Sequence, residues 1–271
     1  TLNTLVTDRE LPKVAEHITA AARAGVDALI VQDLGVAALS RQIAPQLALH
    51  ASTQLTVHSL EGVRELAALG FSCVVLSREL PREEIAYICR NSPVRIEVFA
   101  HGALCMSVSG KCYLSLYETN CSANRGACRQ LCRRKYTVTD KETGAALDVD
   151  GRYVLSPKDL CTVDFLDKFI GAGVRVLKIE GRARGAEYVK RVVECYDEAL
   201  RAIEAGTYTP ELAAGLKERL ATVFNRGFWE GYYAGRPVAE HSEHYGSAAT
   251  RRKVYVGKVT NFYKRISVAE V

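Results

Sequence analysis

The chain has 271 residues, of which 48% are hydrophobic and 25% are charged, and its formal net charge is +5 at pH 7. This composition is ordinary for a globular protein and argues against a disordered chain. The sequence contains no apolar run of the roughly 20 residues that a membrane-spanning helix needs, and its first ten residues lack the regions of a signal peptide. We therefore expect a cytoplasmic protein that does not bind a membrane.

The first hundred residues alternate between apolar, strand-like runs and amphipathic helical stretches. Apolar residues at helical spacing are clearest in residues 11–25 and 59–70, which end at Gly25 and Gly70, as helices commonly do. Alternating strands and helices predict a parallel sheet with helical crossovers. The strand-like runs begin near Thr1, Asp27, Gln46, Cys73 and Arg95.

This alternation stops at residue 101, where a stretch with cysteines, a basic run and a hairpin-like pattern begins. It resumes with a predicted strand at 153–156, a helix at 157–173, a strand at 174–181 and a long helix at 186–206. We count seven strand–helix units, one short of a closed barrel. The pattern therefore predicts a TIM-like (β/α)8 barrel that is incomplete at its N-terminus, with a doubly wound open sheet as the alternative.

On this interpretation the chain has two parts. Residues 1–237 form the barrel, with the cysteine-rich insertion at 101–152. Residues 238–271 form a linker and the start of a small C-terminal β domain.

A polar residue stands at the end of nearly every predicted strand. In a barrel the carboxyl ends of the strands together build the active site, so these side chains predict a polar pocket at one end of the sheet. They are Asn3, Asp33, His50, Ser52, Gln54, Ser77, Arg78, His101, Ser156, Glu180 and Arg182.

Nine cysteines are many for a chain of this length, and five of them fall between positions 105 and 132. Without a secretory signal, this usage indicates metal binding or catalysis rather than disulfides. Four thiolates commonly hold a 4Fe-4S cluster, and zinc is the alternative metal. Cys73 and Cys89 lie in apolar surroundings that predict buried packing. The candidate ligands are Cys105, Cys112, Cys128, Cys132 and Cys161.

Residues 97–115, EVFAHGALCMSVSGKCYLS, resemble the signature of the U-32 peptidase family, which reads E-x-F-x-x-G-(S/A)-x-C, then four residues, then G-x-C. Five further stretches also resemble this family and occur in its order. They are STQ at 52–54, RGACRQLCRRKY at 125–136, LSPKDLC at 155–161, LKIEGRAR at 177–184 and NRGF at 225–228.

The resemblance implies oxygen-independent hydroxylases with a 4Fe-4S cluster, which include tRNA and ribosomal RNA hydroxylases that draw on prephenate and partners in anaerobic ubiquinone synthesis. It implies Cys105, Cys112, Cys128 and Cys161 as the ligands, with Cys132 in reserve for Cys128. We therefore expect hydroxylation of an RNA base, with RNA and a small dicarboxylate as partners.

The family name also leaves a peptidase as an alternative, although the sequence lacks H-E-x-x-H and G-x-S-x-G. A dyad of His101 and Cys105 is the one nucleophile–base pair that the spacing suggests. A non-catalytic module that binds RNA or a protein partner is a third possibility.

The remaining site predictions concern residues that would bind prephenate or RNA, both of which are anions. Arginine binds planar carboxylates with two parallel hydrogen bonds, so Arg182 is the first candidate for a carboxylate of prephenate. The other predicted substrate-binding residues are Asn3, Asp33, Ser52, Lys178 and Arg184, and the predicted catalytic residues are His101, Gln54 and Glu180. The basic run beside the cysteines predicts phosphate contacts from Arg129, Arg133, Arg134 and Lys135.

Overall fold

The structure is a computed structural model that describes residues 1–109, 111–147, 153–235, 240–251 and 257–270. At the starts of two helices, a polar side chain caps the first turn. The Asp33 carboxylate accepts a hydrogen bond from Val36 N at 3.1 Å, and the Ser59 hydroxyl accepts one from Gly62 N at 3.2 Å. The described residues contain eight α-helices: α1 Leu11–Arg23, α2 Leu34–Ile43, α3 Leu60–Ala68, α4 Arg82–Asn91, α5 Leu114–Thr119, α6 Leu166–Gly171, α7 Ala186–Glu204 and α8 Pro210–Ala221.

Seven strands form one mixed sheet, and four short strands form two separate hairpins. The sheet strands are β1 Ala28–Val31, β2 Ala48–Ala51, β3 Phe71–Val75, β4 Arg95–Ala103, β7 Asp159–Cys161, β8 Val176–Ile179 and β9 Phe228–Trp229. The hairpins pair β5 Val138–Thr139 with β6 Ala146–Leu147, and β10 Asn261–Tyr263 with β11 Val268–Glu270.

The parallel sheet that the alternating pattern predicted is confirmed. Strands β1 to β4 pair in parallel in chain order, β8 pairs with β4 in parallel, and β9 pairs with β7 in parallel. Closure into a barrel is not observed, because within the described residues the strand path runs from β1 to β9 and no pairing joins its two ends.

Two local predictions are wrong. Residues 153–156 do not form a strand, and the strand lies instead at β7, within the predicted helix 157–173. This strand runs antiparallel to the end of β4, with His101 opposite Cys161. Near the N-terminus only Leu2 joins the sheet, through a single bridge to Val31.

The buried apolar side chains of the described residues form two clusters. The larger cluster packs α1 to α4 against β1 to β4 and includes Ile18, Val63, Phe71 and Ile85, all at most 2% exposed. The smaller cluster packs α6, α7 and α8 against Ala100 on β4. These three helices bury one side of β4, so only side chains on its other side can face a possible site.

We call residues 105–136 the cysteine segment, of which Gly110 lies outside the described residues. This segment is fixed to loops that follow sheet strands. The side-chain amide of Gln32, after β1, donates to Asn124 O at 3.3 Å. Arg78, after β3, donates to the Ser109 hydroxyl at 3.1 Å and to Ser107 O at 3.2 Å. The cysteine segment therefore lies across the carboxyl ends of the parallel strands.

Candidate functional site

Three thiols of the cysteine segment lie near the thiol of Cys132. Burial raises the pKa of Cys132, the Arg133 guanidinium lowers it, and the thiols of Cys105, Cys128 and Cys112 raise it again. Such an influence between thiols requires them to be close, because it is an interaction between like charges. The structure thus brings together four cysteines that are separated by six, fifteen and three residues along the chain.

The local backbone supports this grouping. Gln130 adopts a left-handed conformation with φ of 53°, which turns the chain between Cys128 and Cys132. The backbone N–H of Gln130 donates to the Cys128 sulfur at 3.4 Å. Hydrogen bonds of this kind stabilise thiolate charge and tune the reduction potential of a cluster bound to it.

The Arg133 side chain is half-buried and bonds to the protein rather than extending into solvent. Its guanidinium donates to the Ser156 hydroxyl and to Pro157 O, each at 2.9 Å, and also to Leu104 O. It therefore anchors the cysteine segment to the ends of β4 and β7 and places a positive charge beside the thiols. This placement does not favour the RNA contact that the basic run predicted for Arg133.

Cys161 lies elsewhere. It is 2% exposed on β7, within the apolar cluster of α6, α7 and α8. Burial raises the pKa of its thiol to about 12, as expected for a thiol packed among apolar side chains. The four neighbouring thiols are therefore those of Cys105, Cys112, Cys128 and Cys132, and Cys161 packs in the core.

His101 is also a core residue. A register shift between Phe99 and His101 in the β4–β8 pairing turns the His101 ring away from the Phe99 side of the sheet. The ring is 1% exposed and packs against Tyr188, Tyr196 and Phe228. Burial lowers its pKa to about 3, so the imidazole is neutral at physiological pH. The structure does not favour the predicted catalytic role or the dyad with Cys105.

Several other predicted site residues make contacts within loops after the strands. The Asp33 carboxylate caps α2 and accepts a second hydrogen bond from Val6 N at 3.3 Å. The Ser52 hydroxyl is fully buried and accepts from the backbone N–H of Gln54 at 3.1 Å, and Gln54 itself is half-buried. Asn3 Oδ1 is buried without a hydrogen-bond partner among the described residues, so it remains the more available of these polar groups.

The residues after β8 differ in their exposure. Glu180 Oε1 accepts from the backbone N–H of Arg182 at 3.0 Å, and the Arg182 side chain is exposed. The Arg184 guanidinium stacks on the Phe224 ring at 3.7 Å from its centroid. Lys178 lies within β8, and its ammonium is 3.3 Å from Glu97 Oε1. Of these cations, Arg182 is the one that can reach a ligand without breaking a contact.

Sequence reasoning missed two features near the cysteines. The Arg226 guanidinium forms a buried ion pair with Asp159 at 3.2 Å, and Asp159 Oδ2 has no partner among the described residues. Burial raises the pKa of Tyr232, as do Glu79 and the Cys105 thiol, whereas Arg78 lowers it, so Tyr232 lies within electrostatic reach of Cys105. The motif NRGF already contained Arg226, but no local pattern marks it as the partner of an aspartate 67 positions earlier.

A third group of side chains lies on the sheet itself. Ligand atoms of His50, Cys73 and Glu97 all lie within 4.8 Å of one another, on the neighbouring strands β2, β3 and β4. The Cys73 thiol donates to Glu97 Oε2 at 3.9 Å. Burial raises the pKa of this thiol to about 11. The sequence had predicted buried packing for Cys73, and it is indeed fully buried.

Comparison with known proteins confirms the family resemblance. Residues 1–243 match peptidase family U32. The chain belongs to this family. It is 48% identical, over 281 aligned residues, to a protein named collagenase from Porphyromonas gingivalis, and the match covers 100% of this chain and 67% of that protein.

Other U32 relatives carry names that refer to RNA. The chain is 43% identical over 203 residues to a 23S rRNA 5-hydroxycytidine synthase of Escherichia coli, and the match covers 75% of this chain and 30% of that protein. It is 30% identical over 282 residues to tRNA hydroxylation protein P of Escherichia coli, with 87% of this chain and 62% of that protein covered.

None of the helices in the described part of the chain has the length and apolar character of a membrane span.

Proposed function

We propose that this chain is the cluster-bearing part of an enzyme that hydroxylates an RNA base and that it holds a 4Fe-4S cluster. The observation that carries the proposal is the gathering of four thiols at the carboxyl ends of the parallel strands. Relatives named for tRNA hydroxylation and for an rRNA 5-hydroxycytidine synthase support the reaction and the substrate class.

The donor set fits such a cluster, because four cysteine sulfurs are its usual ligands. Cys105, Cys112, Cys128 and Cys132 would hold it. The half-buried Arg133 guanidinium would offset part of the negative charge of the thiolates, and the Gln130 N–H would stabilise that charge at Cys128. When bound, the cluster would supply one-electron transfer.

The surrounding residues would shape the substrate pocket. Arg78 and Glu79 follow β3, and their charges, like that of the Cys105 thiol, influence the pKa of Tyr232. Buried polar atoms without a partner among the described residues include Ser77 Oγ and Trp229 Nε1. Unsatisfied buried polar groups are costly, so we propose that substrate or water satisfies them in this pocket.

The proposal includes prephenate as the source of the hydroxyl group, as the family resemblance implies. Its carboxylates would bind cationic side chains at the strand ends, with Arg182 as the first candidate because its side chain is exposed. RNA would lie across the outer surface of the cysteine segment, where Arg129, Arg134 and Lys135 are exposed.

A peptidase is the second candidate, favoured by the 48% identity to a protein named collagenase. A cysteine peptidase would need a histidine beside its thiol, and the burial of His101 removes the pair that the sequence suggested. Cleavage of gelatin by the purified chain that is lost on Cys105→Ala, yet kept after iron is removed, would favour the peptidase.

The cluster proposal is tested by anaerobic reconstitution with iron and sulfide. We expect about four irons per chain, and loss of iron binding on Cys132→Ser but not on Cys161→Ser. Cys195→Ser is the matched control, because Cys195 is a fully buried thiol on α7. Iron that survives Cys132→Ser and is lost on Cys161→Ser would restore the ligand set that the resemblance implied.

The RNA reaction is tested in cells. A strain that lacks the corresponding gene should lose one hydroxylated nucleoside, detected by mass spectrometry of digested tRNA and rRNA. The wild-type gene should restore this nucleoside, and the Cys132→Ser gene should not. An unchanged nucleoside profile in the deletion strain would contradict RNA as the substrate.

A further inference from the structure

A side-chain cluster on the face of the sheet lies outside the cysteine segment. In the β2–β3 register, His50 lies opposite Cys73. In the β3–β4 register, Cys73 lies opposite Arg95 and Val75 lies opposite Glu97. Side chains that are in register, or two apart on one strand, point to the same face. His50, Cys73 and Glu97 therefore project together from three adjacent strands.

We propose that His50, Cys73 and Glu97 form a binding site for one divalent transition-metal ion of the zinc type. Imidazole, thiolate and carboxylate are the three ligand types that zinc takes in proteins. Their ligand atoms lie within 4.8 Å of one another, whereas a tetrahedral zinc ion holds such atoms about 3.3–3.6 Å apart. Small rotations of three side chains on a rigid sheet are enough to close that difference.

The hydrogen bonds around the cluster leave the required atoms available. His50 Nε2 is buried and has no hydrogen-bond partner among the described residues. Such an orphaned ring nitrogen carries a desolvation cost that a metal ion would remove. The two carboxylate oxygens of Glu97 have different partners. Oε1 lies 3.3 Å from the Lys178 ammonium, and Oε2 lies 3.9 Å from the Cys73 sulfur. Lys178 would thus orient the ligand from outside, as partners behind metal ligands do.

The charge balance permits the ion. Glu97 and Lys178 together are neutral, and the Cys73 thiol would release one proton as its sulfur bonds the metal. These groups and the ion would then carry a net charge of one positive unit, and Arg95, which lies opposite Cys73, adds a positive charge that is exposed to solvent. The metal ion would be the largest local charge. Three protein ligands leave the fourth tetrahedral position for an oxygen atom of water or substrate, which is the arrangement of catalytic rather than structural zinc sites.

This site is separate from the cysteine segment, and it goes beyond the proposed function. Cys73 is fully buried and Glu97 is 5% exposed, but His50 and Lys178 are half-buried and give access from one side. A metal ion held here would act as a Lewis acid on an oxygen of a bound small molecule.

Cobalt(II) is the probe, because a cobalt–thiolate bond gives a charge-transfer absorption band that reports sulfur ligation directly. All proteins carry Cys112→Ser and Cys132→Ser, so that the result does not depend on the proposed cluster. We expect one cobalt per chain with this band, and loss of the band on Cys73→Ser. His50→Gln and Glu97→Gln should each raise the Kd for cobalt by at least about 100-fold, since even partners behind the ligands cost 10–100-fold.

Cys195→Ser is the control, because it removes a fully buried thiol on α7, and it should leave the band and the Kd unchanged. Circular dichroism verifies the fold of each variant, and His50→Gln at a half-buried position carries the test if Cys73→Ser does not fold. A folded parent protein without the band under excess cobalt, or a band that persists in Cys73→Ser, would overturn the proposal.

Discussion

The buried imidazole of His101 makes stability depend on pH in a way that separates a core residue from a catalytic one. Burial lowers its pKa from 6.5 to about 3, so the folded chain keeps it neutral while the unfolded chain protonates it below pH 6.5. The unfolded state therefore binds more protons, and stability falls as the pH falls through the window from 6.5 to 3. Above pH 6.5 the residue contributes no such dependence.

The size of the effect follows from the two pKa values. At pH 5 the unfolded chain gains about 2 kcal/mol from protonation of this one imidazole, and each further pH unit adds about 1.4 kcal/mol until the pH approaches 3.

Phenylalanine is a suitable substitute for His101 in a test variant, because the ring lies among Tyr188, Tyr196 and Phe228. The Tyr196 hydroxyl keeps its hydrogen bond to Ala100 O at 2.8 Å.

Urea titrations of wild type and His101→Phe at pH 7.5 and pH 5 measure the difference. The free energy of unfolding should fall by about 2 kcal/mol more in wild type than in the variant. Because the comparison is between two pH values, any constant cost of the larger ring cancels. An equal fall in both proteins would refute the assignment of His101 to the core, and loss of RNA hydroxylation in a fully folded His101→Phe would restore a catalytic role.

Three further predictions test the packing near the cysteine segment and the role of its exposed cations. Gly102→Ala should destabilise the fold by about 1–3 kcal/mol in urea titrations, because φ is 114° and the added Cβ would lie 2.6 Å from a backbone oxygen. Arg226→Met should cost about 3–5 kcal/mol by leaving Asp159 buried and unpaired, and the double variant with Asp159→Leu should recover part of the loss. A variant in which alanine replaces the exposed cations Arg129, Arg134 and Lys135 should bind RNA more weakly, with its iron content unchanged. Filter binding at several salt concentrations should show that the slope of log K against log salt falls by about 2.

The sequence predicted those helices and strands in which apolar residues recur at regular spacing. Helix α7 and the strands β1 to β4 follow from apolar spacing and from helix-ending glycines such as Gly25 and Gly70. Strand β7 was missed because it has only three residues, Asp159–Cys161, beside a proline, and its partner is the distant end of β4. A strand this short is defined by long-range pairing, which a single sequence does not display.

The sequence shows which residue types a candidate site could use, but it does not show in which direction their side chains point. The cysteine spacing pointed to the cysteine segment as a candidate ligand set, yet only the fold separates Cys132, whose thiol lies near three others, from Cys161 in the core. In the same way the run of Arg133, Arg134 and Lys135 gives no sign that Arg133 points inward. The direction of each side chain follows from how the loop packs on the ends of the strands.

Strand β4 connects the two proposed metal centres, and its irregular shape explains how one strand serves both. Glu97 near its start projects with His50 and Cys73, and the register shift after Phe99 then turns His101 into the opposite layer. The strand ends at Ala103, two residues before Cys105. A regular strand would place alternate residues on one face throughout and would direct His101 toward the Glu97 side. The bulge instead leaves that face to Glu97 and Phe99, both of which contact Lys178 of β8. The same strand can therefore offer a carboxylate to the proposed metal ion and a core residue to the layer of α7.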